Sequence, residues 1–155
     1  MYHGRNFNLA GTKGQQMNLW CCECCSYVDS MLVGGDVVYP HRPDLYEKKF
    51  YQCPNCKNSV GTHQQWGKSF VKGRDYNIRA LGCIPNAKLK FARGKIHEIL
   101  DPLWKGKRPG TRKRLYKRIS RELGYEYHTG NTKTIEECRK VYRIIQKIYK
   151  EKDNK

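Results

Sequence analysis

The stretch Cys21-Cys22-Glu23-Cys24-Cys25, with Cys53-Pro54-Asn55-Cys56 downstream, decides how this sequence folds. Zinc prefers four tetrahedral ligands, and a Cys-x-x-Cys turn lets two thiolates face the same ion. Two such turns complete the ligand shell of one structural zinc ion. Because four thiolates leave no open coordination position for water, the spacing indicates a metal that organises the fold and does no chemistry.

The first cysteine cluster allows two registers, one a residue later than the other. We favour the later register, because Ser26-Tyr27 then directly follows the second cysteine of the turn. These two residues resemble the small polar continuation that follows Cys56. The predicted zinc ligands are therefore Cys22, Cys25, Cys53 and Cys56, with Cys21 and Cys24 as the alternative first pair.

The composition favours a small protein stabilised by a metal. The 155 residues are 38% hydrophobic with a mean hydropathy of -0.86, which is low for a globular protein, so a metal can replace part of a hydrophobic core. No window approaches the roughly 18 apolar residues that a membrane span needs. Six of the eight cysteines stand at metal-ligand spacing, which favours a reducing cytoplasm over a disulfide scaffold.

The charge indicates an anionic partner. The formal net charge is +17, and residues 86–121 hold thirteen Lys or Arg against two acidic residues, a net of +11. A surface with so dense a charge of one sign repels itself unless phosphates or other anions compensate that charge. Nucleic acid is therefore the expected partner. The predicted contacts are Lys88, Lys90, Arg93, Lys95, Lys105, Lys107, Arg108, Arg112, Lys113, Arg114, Lys117, Arg118 and Arg121.

The residue patterns divide the chain into four segments. Residues 1–17 show no period and are interpreted as a flexible arm, 18–63 as the zinc ribbon and 64–85 as a connecting loop. Residues 86–150 form a basic helical region, continuous with the ribbon. Within the ribbon, apolar residues on both sides of Gly34-Gly35-Asp36 predict a hairpin, and Phe50-Tyr51 predicts a strand leading into the second cysteine pair.

Three helices are expected after Pro85. Apolar residues at helical spacing predict the first over about 86–100, ending before Pro102. Thr111 is the predicted N-cap of the second, which stops at Gly124. Thr134 and a glutamate three residues later form a capping box that starts the third. The predicted fold class is thus α+β, with an N-terminal four-cysteine zinc ribbon of short antiparallel strands packed on a C-terminal three-helix layer.

Spaced motifs along most of the chain resemble one known family. The matching pieces are the Cys-x-x-Cys turns, Val38-Tyr39-Pro40, Phe50-Tyr51-x-Cys53-Pro54-x-Cys56, Val60-Gly61-x-His63, Ala92-Arg93, His97-Glu98-x-x-x-Asp101-Pro102-Leu103-Trp104, Leu115-Tyr116, Leu123-Gly124, His128-x-Gly130 and Cys138. Over about residues 22–145 the chain resembles the small zinc-finger-containing proteins of bacteriophages and prophages, whose role is unassigned. The resemblance implies a phage origin and a zinc-bound fold, hence the host cytoplasm, and implies no catalytic activity.

Three functional hypotheses remain at this point. The first is a nucleic-acid-binding protein without turnover, with DNA favoured over RNA. The second is a small metal-dependent nuclease, which would use a possible second site formed by His63, His97, Asp101 and His128. These four residues could hold a second metal, provide an acid–base pair, or be hydrogen-bonded structural residues. The third is a phage adaptor or inhibitor that binds a host or phage protein such as RNA polymerase.

Overall fold

The structure is a computed structural model that describes residues 15–63 and 78–154. It divides into an N-terminal unit, Met1–Pro85, and a C-terminal unit, Asn86–Lys155. The described strands all lie in the first unit and the three long helices in the second, as an α+β protein requires. The first strand begins at Gln16, at the end of the segment predicted as a flexible arm. Residues 1–14 of that arm and residues 64–77 of the predicted connecting loop lie outside the described residues.

An antiparallel sheet forms the N-terminal unit. Its strands are β1 (Gln16–Cys21), β2 (Ser26–Gly34), β3 (Lys49–Gln52) and β4 (Ser59–Gly61), hydrogen-bonded in the order β1-β2-β3-β4. Along β2 the buried residues Val28, Ser30 and Leu32 alternate with more exposed ones, because successive strand side chains point to opposite faces. Val28 and Leu32 share one core with Tyr51 and Ile84.

The hairpin predicted around Gly34-Gly35-Asp36 is wrong. β2 ends at Gly34 and a single helical turn, α1 (Gly35–Val38), follows. Gly35 is needed for a close approach, since a Cβ there would lie 1.7 Å from the backbone oxygen of Leu45. The partners of β2 are β1 and β3 instead. The strand predicted at Phe50-Tyr51 is confirmed as β3.

The three predicted helices are confirmed as α2 (Ala87–Leu100), α3 (Thr111–Leu123) and α4 (Ile135–Asp153). The N-cap of α3 is Gly110 in the left-handed conformation, and the Thr111 hydroxyl donates to the backbone oxygen of Arg108, so the predicted threonine cap is wrong. Gly124, at φ 83°, ends α3 as expected. The Thr134 hydroxyl accepts from the Glu137 N–H at 3.1 Å, which confirms that cap.

The C-terminal unit has a hydrophobic core of its own. Ile96 and Leu100 of α2, Ile119 of α3, and Val141 and Ile145 of α4 are each at most 2% exposed. Each helix therefore buries one apolar stripe and leaves its opposite face to solvent.

We expect Thr134→Ala to lower the free energy of unfolding by about 1 kcal/mol, because the first turn of α4 loses the oxygen that satisfies the Glu137 N–H. Urea denaturation followed by circular dichroism measures this. Thr134→Ser keeps the oxygen and serves as the control. Equal losses for both variants would contradict a capping role.

Candidate metal centre and basic surface

Four cysteine thiols meet in the N-terminal unit. The sulfur atoms of Cys21, Cys24, Cys53 and Cys56 all lie within 4.8 Å of one another. The Cys21 and Cys56 sulfurs are 3.5 Å apart and those of Cys24 and Cys53 are 3.8 Å apart. No other group of three or more potential ligands of this kind occurs in residues 15–63 and 78–154.

The strands fix which cysteines converge. Cys21 is the last residue of β1, two and four positions after Leu19 and Met17, which pack against the same core. The pleat therefore turns Cys21 inward, where it is 0% exposed. Cys53, also 0% exposed, follows β3 directly. Each strand thus delivers the first thiol of a Cys-x-x-Cys turn.

The ligand set predicted from the sequence is wrong for its first pair. Cys22 and Cys25 lie in the turn after β1 and do not belong to the cluster. The Cys22 sulfur lies 3.8 Å from that of Cys83, and Cys25 is exposed. The alternative register, Cys21 with Cys24, is the one that the structure brings together with Cys53 and Cys56.

The two cysteine turns have the same backbone shape. The residue after each second ligand is left-handed, Cys25 at φ 50° and Lys57 at φ 64°. A small polar residue comes next in both turns, and it pairs with the first ligand: Ser26 with Cys21 in the strand register, and Asn58 with Cys53 through a 2.8 Å hydrogen bond. The sequence contains this signal, because Ser26 corresponds to Asn58 and not to Lys57.

Burial opposes ionisation of these thiols. It raises the pKa of Cys21 to about 12 and raises that of Cys24. Burial acts against the Cys53 thiolate too, but hydrogen bonds from the backbone N–H groups of Cys56 and Asn55 and from the Cys56 and Cys24 thiols together lower the pKa of Cys53 to about 7. Four thiolates in one partly buried site are therefore costly unless a cation neutralises them.

The cluster fits one structural zinc ion. Tetrahedral thiolates at the usual Zn–S length of about 2.3 Å have sulfur atoms about 3.8 Å apart, close to the 3.5 and 3.8 Å separations found. Zinc would be held by Cys21, Cys24, Cys53 and Cys56 and would cross-link β1 to the end of β3. A complete thiolate shell assigns it a structural role.

The possible second site does not assemble as a group. His97 and Asp101 meet at the end of α2, with Nδ1 and Oδ1 3.1 Å apart, and Lys105 Nζ lies 2.8 Å from the other carboxylate oxygen. Burial would raise the pKa of Asp101, but hydrogen bonds from Lys105 and His97 lower it. His128 Nδ1 instead accepts from the Gly130 N–H, and His63 lies in the other unit. The pair His97–Asp101 therefore matches the hydrogen-bonded structural alternative.

Most of the predicted phosphate contacts are exposed side chains of the C-terminal unit. The exposed set is Lys88, Lys90, Lys95, Lys105, Lys107, Arg108, Arg112, Lys113, Arg114, Lys117 and Arg121. Acidic neighbours engage some of these: Lys95 pairs with Glu98, and Lys105 with Asp101.

Two predicted contacts have structural roles instead. Arg93 is 8% exposed and donates to the backbone oxygen of Thr132 at 2.6 Å, so the prediction that it reaches phosphate is wrong. Its position on the helix wheel, close to the apolar stripe of α2, was the available signal. Arg118 is half-buried and bridges α3 to α4 through Glu151 at 2.6 Å, next to Glu122 at 3.6 Å.

Fold and site together define a four-cysteine zinc-binding protein. Residues 18–148 match the family model of a zinc-finger-containing domain, DUF3268, whose function is unknown. The chain belongs to this family, since the match covers most of its length. Neither the search of curated proteins nor the search of solved structures finds a match. Among the described helices, none combines the length and apolar content needed to cross a membrane.

Single serine substitutions test the cysteine register. Cys21→Ser and Cys24→Ser should each lower zinc content well below one ion per chain, because each removes a thiolate from the shell. Cys22→Ser and Cys25→Ser should keep the full content, since both lie outside it. Elemental analysis of the purified variants measures this.

The opposite pattern, with zinc lost on changing Cys22 or Cys25 and retained on changing Cys21 or Cys24, would restore the register first predicted. Because structural zinc contributes about 10 to 16 kcal/mol in zinc-finger peptides, soluble yield should fall along with the metal.

Proposed function

We propose that the protein binds nucleic acid, DNA more readily than RNA, through a basic surface of its C-terminal unit and without turnover. The observation that carries this proposal is the α3 strip, defined as Lys113, Arg114, Lys117 and Arg121. All four side chains are exposed. In the described part of the chain, no acidic side chain forms an ion pair with any of them.

The helix itself arranges the strip. Residues three and four apart are neighbours on a helix surface, so Lys113, Lys117 and Arg121 form one row with Arg114 beside it. The opposite side of α3 carries Leu115, Ile119 and Leu123, which pack into the core. A solvated face is ordinarily mixed in sign, whereas this one is cationic throughout, as expected for a surface that meets phosphates.

Cations before α3 extend this surface. Lys107 and Arg108 are exposed in the segment that leads into the helix. The Arg112 guanidinium lies 5.2 Å from the Trp104 ring centre and 5.1 Å from that of Tyr116. Such cation–π contacts hold a guanidinium in place while its edge stays available to an anion.

Binding without catalysis agrees with the site chemistry. The thiolate shell offers no open metal position, and both oxygens of Asp101 already engage His97 and Lys105. Eight thiols suit the reducing cytoplasm, which we propose as the location. A phage origin stays a prediction. A protein partner such as RNA polymerase is the competing proposal, which the salt dependence below distinguishes.

The triple variant Lys113→Glu, Arg114→Glu, Lys117→Glu should weaken DNA binding roughly tenfold or more, with zinc content unchanged, because three phosphate contacts become repulsive. Lys140→Glu, Arg143→Glu, Lys150→Glu changes the net charge equally on exposed positions of α4 and is the matched control. Gel-shift titration compares the two. Equal weakening by both triples would remove the α3 strip from the proposal.

Salt should weaken binding steeply. If about six phosphates are contacted, log K against log salt concentration should have a slope of about -5, and the α3 triple variant should reduce its magnitude by about 3. Fluorescence anisotropy with labelled DNA and RNA, with and without magnesium, measures this. A flat salt dependence would favour the protein-partner alternative, and cleaved probe would favour the nuclease.

A further inference from the structure

A groove lies beside the C-terminal half of α3. Its volume is about 730 Å³, within the range of about 300 to 1,000 Å³ typical of ligand sites. The residues that matter for its chemistry are the cations Lys113, Lys117 and Arg121 and the tyrosines Tyr116, Tyr125 and Tyr127. Cations and aromatic rings therefore line the same cavity.

The groove is held in shape by hydrogen bonds. Gly124, at φ 83°, reverses the chain after α3. The Ser120 hydroxyl then accepts from the Tyr127 N–H at 2.9 Å and donates to the Tyr116 backbone oxygen at 2.8 Å. The segment after the helix is thereby fastened to α3, so the groove exists before any ligand arrives.

The three tyrosines have different roles. Tyr127 is 5% exposed, stacks on Tyr116 with ring centres 5.6 Å apart, and its hydroxyl contacts that of Thr129 at 2.8 Å. These two rings belong to the wall. Tyr125 is 48% exposed and is not among the residues packed against the hydrophobic core. It is the ring with a surface left for a ligand.

The charges along the wall suit a phosphate backbone. Lys113, Lys117 and Arg121 follow one another at four-residue steps, a rise of about 6 Å each, comparable with the separation of successive phosphates on an extended strand. Glu126 is the one acidic residue among the lining residues. An acidic polypeptide could meet the cations, but it would leave the exposed ring of Tyr125 without a matching group.

We propose that this groove holds an unpaired nucleotide of single-stranded nucleic acid, with its base stacked on Tyr125 and adjoining phosphates on Lys113, Lys117 and Arg121. The inference rests on the proposed function and specifies its ligand. In a duplex both faces of each base are covered by neighbouring pairs, so a ring can stack only on an unpaired base. A cationic track beside an exposed aromatic ring is the common design of single-strand binding sites.

Substitution of Tyr125 tests the groove in the full-length zinc-loaded protein. The probes are a labelled oligothymidylate of about 12 nucleotides and a duplex of the same length, each titrated by fluorescence anisotropy. Tyr125→Ala should raise Kd for the oligothymidylate about tenfold and leave duplex affinity within about twofold, because only stacking is lost. Tyr125→Phe retains the ring and should bind like the wild type.

Tyr142→Ala is the matched control, since Tyr142 is 39% exposed on α4 and lies outside the groove. Unchanged oligothymidylate affinity in Tyr125→Ala, while the wild type binds both probes, would overturn the groove assignment and leave the proposed function standing. Equal weakening for both probes, or by Tyr142→Ala, would also overturn it. If the wild type binds neither probe, the proposed function fails and the groove assignment fails with it.

Discussion

Convergence of four thiols on one point is the constraint on which the N-terminal unit depends. Two of those cysteines, Cys21 and Cys53, are fully buried members of the core that also contains Val28, Leu32 and Tyr51. β3 and β4 have only four and three residues, so apolar burial alone stabilises this sheet over a small area. A metal that ties the end of β1 to the end of β3 replaces the stabilisation that a larger core would supply.

The C-terminal unit depends on apolar burial, whereas the N-terminal unit depends on the four-cysteine cluster. Its three long helices bury a contiguous set of aliphatic side chains, and its polar interactions, such as Arg118 with Glu151 and Tyr149 with the Ile99 backbone, join helices directly. Because the apolar stripes of the helices face inward, their outer faces can carry a dense positive charge. In the α3 strip and the adjoining groove that charge meets the exposed ring of Tyr125, which is why we propose a ligand there.

Local periodicity explains what could be predicted from the sequence. The helices were predictable because apolar spacing, the Thr134 cap and the Gly124 stop agree with one another, and the second cysteine turn because one spacing fits it. The first turn offers two registers, which differ in whether Cys21 or Cys22 faces the core. The alternation of Met17, Leu19 and Cys21 along β1 decides between them. The hairpin predicted at Gly34-Gly35 is wrong because Gly35 permits the close approach of the Leu45 backbone, which no local pattern shows. Tyr125 was missed because a groove arises only once the chain after α3 folds back.

Two-dimensional amide NMR of the unmodified protein before and after chelation, with its zinc counted by elemental analysis, tests the central claim most directly. We expect one zinc ion per folded chain, and loss of the amide signals of the N-terminal sheet when the metal is removed, with those of the helices of the C-terminal unit retained. A metal-free chain whose N-terminal sheet is intact would contradict it.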